Sequence, residues 1–108
     1  MNLELWCTNF RLTWEKKDVK SWLYPNHGVV ILNELQIVAH KRGHGLGSRF
    51  MNDLLRRSDK WKFNVELTPS VCYGASSLQR LIRFYKKFGF KKISRQRKRD
   101  MIRFHKGD

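Results

Sequence analysis

The feature that most constrains this chain is the segment Arg42-Gly43-His44-Gly45-Leu46-Gly47, set between a long apolar run and a stretch of helical periodicity. Upstream, Val29-Val30-Ile31-Leu32, interrupted by Asn33-Glu34 and resumed by Leu35 to Ala39, predicts a long, mostly buried central strand. Downstream, Leu46, Phe50, Met51, Leu54 and Leu55 recur at three- and four-residue spacing, with Arg49, Asn52, Asp53, Arg56 and Arg57 opposite. That pattern predicts an amphipathic helix. A strand that enters a helix through glycines brings its backbone close to a ligand, and the helix's free amides and dipole point at an anion. A diphosphate fits such a place. A dinucleotide fold would need a convincing acidic residue at the end of the next strand, and a P-loop would need a Gly-Lys-Ser/Thr ending; neither is present. The glycines could also serve only to make a tight turn and let the helix pack closely on the sheet.

The rest of the chain reads as short patterned segments. Leu3 to Trp14, rich in Trp, Phe and Thr, favours a strand over a helix. Val19 to Tyr24 predicts another strand, and Pro25-Asn26-His27-Gly28 supplies turn chemistry before the apolar run at Val29, which makes a hairpin. Phe63, Val65 and Leu67 alternate with Lys62, Asn64 and Glu66 until Pro69, as in a half-buried or edge-facing strand. Leu78, Leu81, Ile82, Tyr85 and Phe88 then share one helical face with Gln79, Arg80, Arg83, Lys86 and Lys87 opposite; Ser76 or Ser77 can cap the start and Gly89 the end. Phe90 to Ser94 and Met101 to Phe104 read as two closing strands around the basic connection Arg95 to Arg99. The expected architecture is α/β, a mixed central sheet in one domain spanning residues 1–108.

Seven Phe, four Trp and three Tyr in 108 residues supply large side chains for a core, which argues against disorder. Against 9 Asp and Glu stand 23 Lys and Arg, a net charge of +14. Such a field draws polyanions: nucleic acid, ribosome, an anionic membrane, an acidic protein or a phosphorylated cofactor. No uncharged apolar run approaches the roughly 20 residues of a membrane span, and the N-terminus lacks the order of a signal peptide, so a cytoplasmic protein with no membrane partner is expected. Cys7 and Cys72 lie far apart, and neither they nor His27, His40, His44 and His105 show metal-ligand spacing. Two reduced structural thiols and no metal site are expected.

The spacing Arg42-x-x-Gly45-x-Gly47 resembles motif A of the GNAT acetyltransferases, Arg/Gln-x-x-Gly-x-Gly/Ala. Arg83-Phe84-Tyr85-Lys86-Lys87-Phe88-Gly89-Phe90 is similar to the Phe-Tyr-x-x-x-Gly-Phe end of that family's last helix. The resemblance covers about Val29 to Phe104 and looks closest to small phage- and prophage-type members, which carry a stretch like Leu67-Thr68-Pro69-Ser70 followed by Gly74 and Ser77. It implies an N-acetyltransferase that moves an acetyl group from acetyl-CoA to a primary amine. The pantetheine arm would pair with the backbone of Leu35, Gln36 and Ile37, and the diphosphate would lie on the amides of Arg42, Gly43, His44, Gly45, Leu46 and Gly47, with Ser48 adjacent. Ser77 and Arg80, near the start of the last helix, and Tyr85 further along it join the cofactor-binding set. The 28 residues before Val29 are too few for the two helices that normally cover the acceptor side, the proline often found before the loop is absent, and so is the Asn common at the last helix's start. A homodimer that supplies the missing wall is one expectation; a binding protein that kept the scaffold and lost turnover is another.

Acetyl transfer needs a neutral amine, an oxyanion donor and a proton for the departing thiolate. By the resemblance Tyr85 is the general acid, although its place on the apolar stripe also suits a packing residue. Glu34 is the sole carboxylate in the central strand, and burial near a cleft would raise its pKa toward that of a useful base; it could equally pair with a cation. His27 and His40 near the strand ends have suitable intrinsic pKa values but are more often surface residues. Arg80, Arg83, Lys86, Lys87, Lys91, Lys92, Arg95, Arg97, Lys98 and Arg99 exceed what one cofactor requires and suggest an acidic macromolecule or RNA as partner. The aromatic residues fall mostly on core-like positions instead of being interleaved with that basic run.

Overall fold

A computed structural model of the chain describes residues 2–69, 78–93 and 100–107. The elements run α1 (Leu3–Glu15), β1 (Val19–Asn26), β2 (Val29–Ile37), a 3-10 turn (Ala39–Lys41), α2 (Leu46–Trp61), β3 (Asn64–Leu67), α3 (Leu78–Lys87), β4 (Lys91–Lys92) and β5 (Met101–Arg103). The five strands form one mixed sheet in the order β1-β2-β3-β5-β4, in which only β2 and β3 are parallel. The expected α/β class and mixed sheet are what the chain adopts.

The opening segment is a correction, since Leu3–Glu15 is a helix and not a strand. Cys7, Phe10 and Trp14 recur at three- and four-residue spacing and are its buried positions. Spacing therefore overrode the strand preference of the individual Trp, Phe and Thr residues. Asn2 caps the helix, its side-chain oxygen accepting from the Leu5 amide at 3.0 Å. The Thr8 and Thr13 hydroxyls return to the carbonyls of Glu4 and Asn9, four residues back, so neither competes with the helix from outside. Burial pushes the free Cys7 thiol up to about 11, so it stays protonated at neutral pH; Cys72 lies outside the described residues.

The hairpin forms with a tighter turn than expected. Pro25 and Asn26 belong to β1, and the reversal is made by His27 and Gly28 alone, both at positive φ. Two-residue hairpins favour such backbone, and proline is tolerated there because β1 is an edge strand. Of the two readings of β3, the half-buried one holds, with Val65 and Leu67 inside and Asn64 and Glu66 partly exposed, while the edge reading is corrected, since β3 is the middle strand of the five. Its alternation reports its two faces, not its place in the sheet.

The core lies between the sheet and helices α1 and α2. Phe50 of α2 meets Phe10 and Trp14 of α1 edge-on at 5.3 and 5.6 Å between ring centres. Such pairs add about 0.5–1.5 kcal/mol each beyond the area they bury. The Trp14 indole N–H donates to Asp53 at 3.0 Å, so the ring's polar edge is satisfied where it leaves the core. Beneath them sit Val19, Leu23, Val30, Leu32, Met51 and Leu54. α2 and α3 follow their predicted periodicity; the serines proposed as the α3 cap lie outside the described residues, while Gly89 ends that helix region at φ +92 as expected. No helix among the described residues is long and apolar enough to cross a membrane.

Candidate active site

The site is built on β2. Its pairing with β1 slips between Trp22 and Leu23, where Trp22 faces Glu34 but Leu23 faces Leu32, so Asn33 is the extra residue of a bulge. On the other side β2 pairs with β3 only from Val29 to Leu32. β2 continues to Ile37 while β3 stops at Leu67, so residues 33–37 present an edge that β3 does not cover. A strand edge of this kind offers amides and carbonyls to an extended ligand. Leu35, Gln36 and Ile37, the predicted pantetheine contacts, all lie in this stretch and are half-buried.

The chain then passes through the 3-10 turn into the glycine loop. Two contacts fasten the approach: the Val38 amide donates to the Asp18 carbonyl at 3.1 Å, and the Lys41 ammonium meets the Asp18 carboxylate at 2.6 Å. The hydrogen bond from Lys41, with its charge, holds the Asp18 carboxyl below the usual carboxylate range. Arg42 turns back, its Nε donating to the Ile37 carbonyl at 3.0 Å, so its guanidinium helps shape the loop.

The three glycines divide their work. Gly43 and Gly45 stand at φ +82 and +79, a backbone that other L-residues avoid, and a Cβ on either would meet nothing within 4 Å. Conformation requires these glycines, and the space in front of them is open. A Cβ on Gly47 would lie 3.4 Å from Ile37 and 3.6 Å from Phe84, so Gly47 is where α2 comes close to β2 and α3. The close-packing reading thus holds at Gly47, while Gly43 and Gly45 face open space. Gly45 is the N-cap of α2 and offers no side-chain cap, and no acidic residue occupies the first turn. The first-turn amides of Leu46, Gly47 and Ser48 have no intrahelical acceptors, and the helix dipole makes this end attractive to an anion. His44 is exposed, and Ser48 half-buried.

Tyr85 is 6 % exposed, with Phe84 and Phe90 edge-on to its ring at 5.3 and 5.8 Å. Desolvation pushes its hydroxyl up to about 12, so it holds its proton throughout the neutral range. Glu34 does not share that setting. It lies exposed on β2 opposite Trp22, which corrects the expectation that burial would tune it as a base. Arg80 is exposed on α3, and Ser77 lies outside the described residues. His27 occupies the hairpin turn and His40 the 3-10 turn, both exposed. Among the described residues no group of three His, Cys, Asp or Glu could hold a metal ion.

Two residues escaped the sequence reading. Phe84, placed by its spacing off the apolar stripe of α3, packs toward Gly47; the small residue facing it on α2 was the available signal. Arg103, on a strand whose apolar neighbours suggested only packing, is 7 % exposed and fastens the far end of α2. It donates twice to the Asp59 carboxylate, at 2.9 and 3.0 Å, and once to the Phe88 carbonyl at 3.0 Å.

A family model described as Acetyltransferase (GNAT) domain matches residues 25–106. Among solved structures, the anti-CRISPR protein AcrVA5 superposes with a TM-score of 0.63 at 14 % identity, covering 80 % of this chain and 90 % of that one. The AtaT toxin, bound to the C-terminus of the antitoxin AtaR and acetyl-CoA, gives 0.49 at 15 % identity over 78 % of this chain and 54 % of that one. The KacTA–DNA complex gives 0.48 at 15 % identity over the same shares. A sequence search of curated proteins finds no significant match.

Proposed function

The chain belongs to the GNAT acetyltransferase family, and we propose that it moves an acetyl group from acetyl-CoA to a primary amine, as one of the small, phage-type members. The observation that carries the reading is the early end of the β2–β3 ladder at Leu32 and Leu67, beside an uncapped helix N-terminus. The residues present fit the cofactor. An extended amide-bearing arm finds the open edge of residues 33–37, and a diphosphate finds the free amides of Leu46 to Ser48 with room above Gly43 and Gly45. When bound, acetyl-CoA supplies a thioester whose acetyl carbon an unprotonated amine can attack.

The chain's own residues then have separate tasks. The bulge at Asn33 lies where the β2–β3 ladder ends, so that residues 33–37, paired with β1 on one edge, offer their other edge to the cofactor. Tyr85 Oη, protonated because it is desolvated, holds the proton that a departing thiolate takes up. Glu34 stands on the solvent side, so the proton released by the amine passes to water. The net charge of +14 raises the local concentration of a phosphorylated cofactor, and it also suits an acidic macromolecular acceptor.

Calorimetric titration with acetyl-CoA, paired with a thiol-release assay on a panel of primary amines, tests the proposal. Saturable binding with amine-dependent release is the expected result. No binding at millimolar cofactor would sink it, whereas binding without release would leave a cofactor-binding protein that has lost turnover.

A further inference from the structure

At the opposite end of α2 from the glycine loop, about 21 Å away by helical rise from Gly45 to Asp59, the surface opens into a groove of about 530 Å³. Three elements contribute cations to it: Arg56 from α2, already paired with Asp53 at 2.9 Å, Lys87 from the end of α3 and Lys106 from the segment after β5. The carboxylate in its wall, Asp59, is engaged by the two terminal guanidinium nitrogens of Arg103 and by the Lys106 amide at 2.8 Å. An incoming anion therefore meets a neutralised wall with cations above it. Four-residue spacing continues the rows outward, Arg56 to Lys60 on one helix and Arg83 to Lys87 on the other.

The groove also holds aromatic surface. Phe104 is 57 % exposed and Phe88 is half-buried, and both line it. Trp61, 44 % exposed with the Lys60 ammonium 5.4 Å from its ring centre, stands at the same end of α2. Most aromatic residues do sit in the core, but Phe104 is exposed here, in one groove with Lys106 of its own segment and Lys87 of α3. Cations alone would suit any polyanion. Cations around an exposed ring, in a groove of a size that admits a small ligand, suit a chain of phosphates carrying flat bases.

We propose that this groove binds single-stranded nucleic acid, with a base stacked on Phe104 and flanking phosphates at Lys87 and Lys106. The site is separate from the cofactor loop and does not rest on the acetyl-transfer reading. Duplex nucleic acid keeps its bases paired away from the ring, and an acidic polypeptide has no obligatory flat surface to place there.

Fluorescence anisotropy with a labelled single-stranded adenylate 12-mer tests it on the whole chain, with the same sequence as a duplex and a polyglutamate peptide as competitors. Phe104→Ala, at an exposed position, should weaken the single strand about fivefold or more, as expected for loss of one stacked base. The double variant Lys87→Gln, Lys106→Gln should reduce the slope of log affinity against log salt by about 1.4. Acetyl-CoA titrations of these variants should match the wild type, which keeps a failure here distinct from a failure at the loop. Affinity unchanged in Phe104→Ala, or duplex or polyglutamate competing as well as the single strand, would overturn the proposal.

Discussion

The two ends of α2 are built on opposite principles. At the N-terminal end Gly45 caps nothing with a side chain, the first-turn amides lack intrahelical partners, and a Cβ on Gly43 or Gly45 would face empty space. At the C-terminal end the groups that close and fasten the helix are engaged. Ser58 donates to the Phe63 carbonyl at 2.5 Å, Lys62 closes the helix in the left-handed conformation with its amide on the Ser58 carbonyl, and Arg103 clamps Asp59 to the Phe88 carbonyl. Leaving polar groups unmade costs stability, and a binding site accepts that cost because a ligand will satisfy them. The satisfied end holds the helix so that the unsatisfied end keeps its aim.

The sharpest way to break this contrast is Gly45→Glu. It places a side chain in left-handed backbone and an anion where an anion should bind, so acetyl-CoA binding should disappear at millimolar cofactor. The strain should cost somewhat more than about 1 kcal/mol of stability. A variant with a cooperative melt and unchanged acetyl-CoA affinity by calorimetry would remove the loop from the cofactor site.

Arg103→Ala acts at the other end and should show the reverse pattern. Deleting one partner of a largely buried pair should destabilise the fold by about 3 kcal/mol in a denaturant melt, while acetyl-CoA affinity of the folded fraction stays close to wild type. The pH dependence adds a second reading. The Arg103 hydrogen bond holds the Asp59 carboxyl below the usual range, so its contribution is present above the unfolded carboxylate value near ~3.9 and is lost as pH falls through the lower folded value. The variant should therefore show a flatter stability profile below about pH 4, and an identical profile would mean that the pair contributes nothing.

Tyr85→Phe keeps the ring in its aromatic setting and removes only the hydroxyl. Amine-dependent turnover should fall roughly 100-fold with acetyl-CoA affinity unchanged, the lower end of what general acids contribute. Loss of stability without loss of turnover would return Tyr85 to a packing role. The smallest effect belongs to Gly47→Ala, where the new methyl meets Ile37 and Phe84 at near-ordinary contact distances and helix propensity improves. Stability should stay within about 0.5 kcal/mol and cofactor binding should persist, in contrast to Gly45 two residues earlier.

By itself the sequence determined the punctuation of the fold. Glycines 43, 45 and 47 between an apolar run and a periodic one sufficed to place the loop, because positive-φ backbone and amphipathic spacing are local properties written in neighbouring residues. The GNAT resemblance of Arg42, Gly45, Gly47 and the Tyr85 segment matched the family for the same reason. Local propensity misled at Leu3–Glu15, where residue type suggested a strand while the spacing of Cys7, Phe10 and Trp14, together with the Asn2 cap, already carried the helix. Only the tertiary structure decided matters that depend on partners distant in the chain. It put β3 at the middle of the sheet, ended the β2–β3 ladder at Leu32, left Glu34 on the solvent side, joined Arg103 to Asp59 across 44 residues and brought Phe104 beside Lys87. Strand order, the length of a ladder and the pairing of buried charges are set by how faces pack together, and no periodicity in a single segment encodes its neighbour.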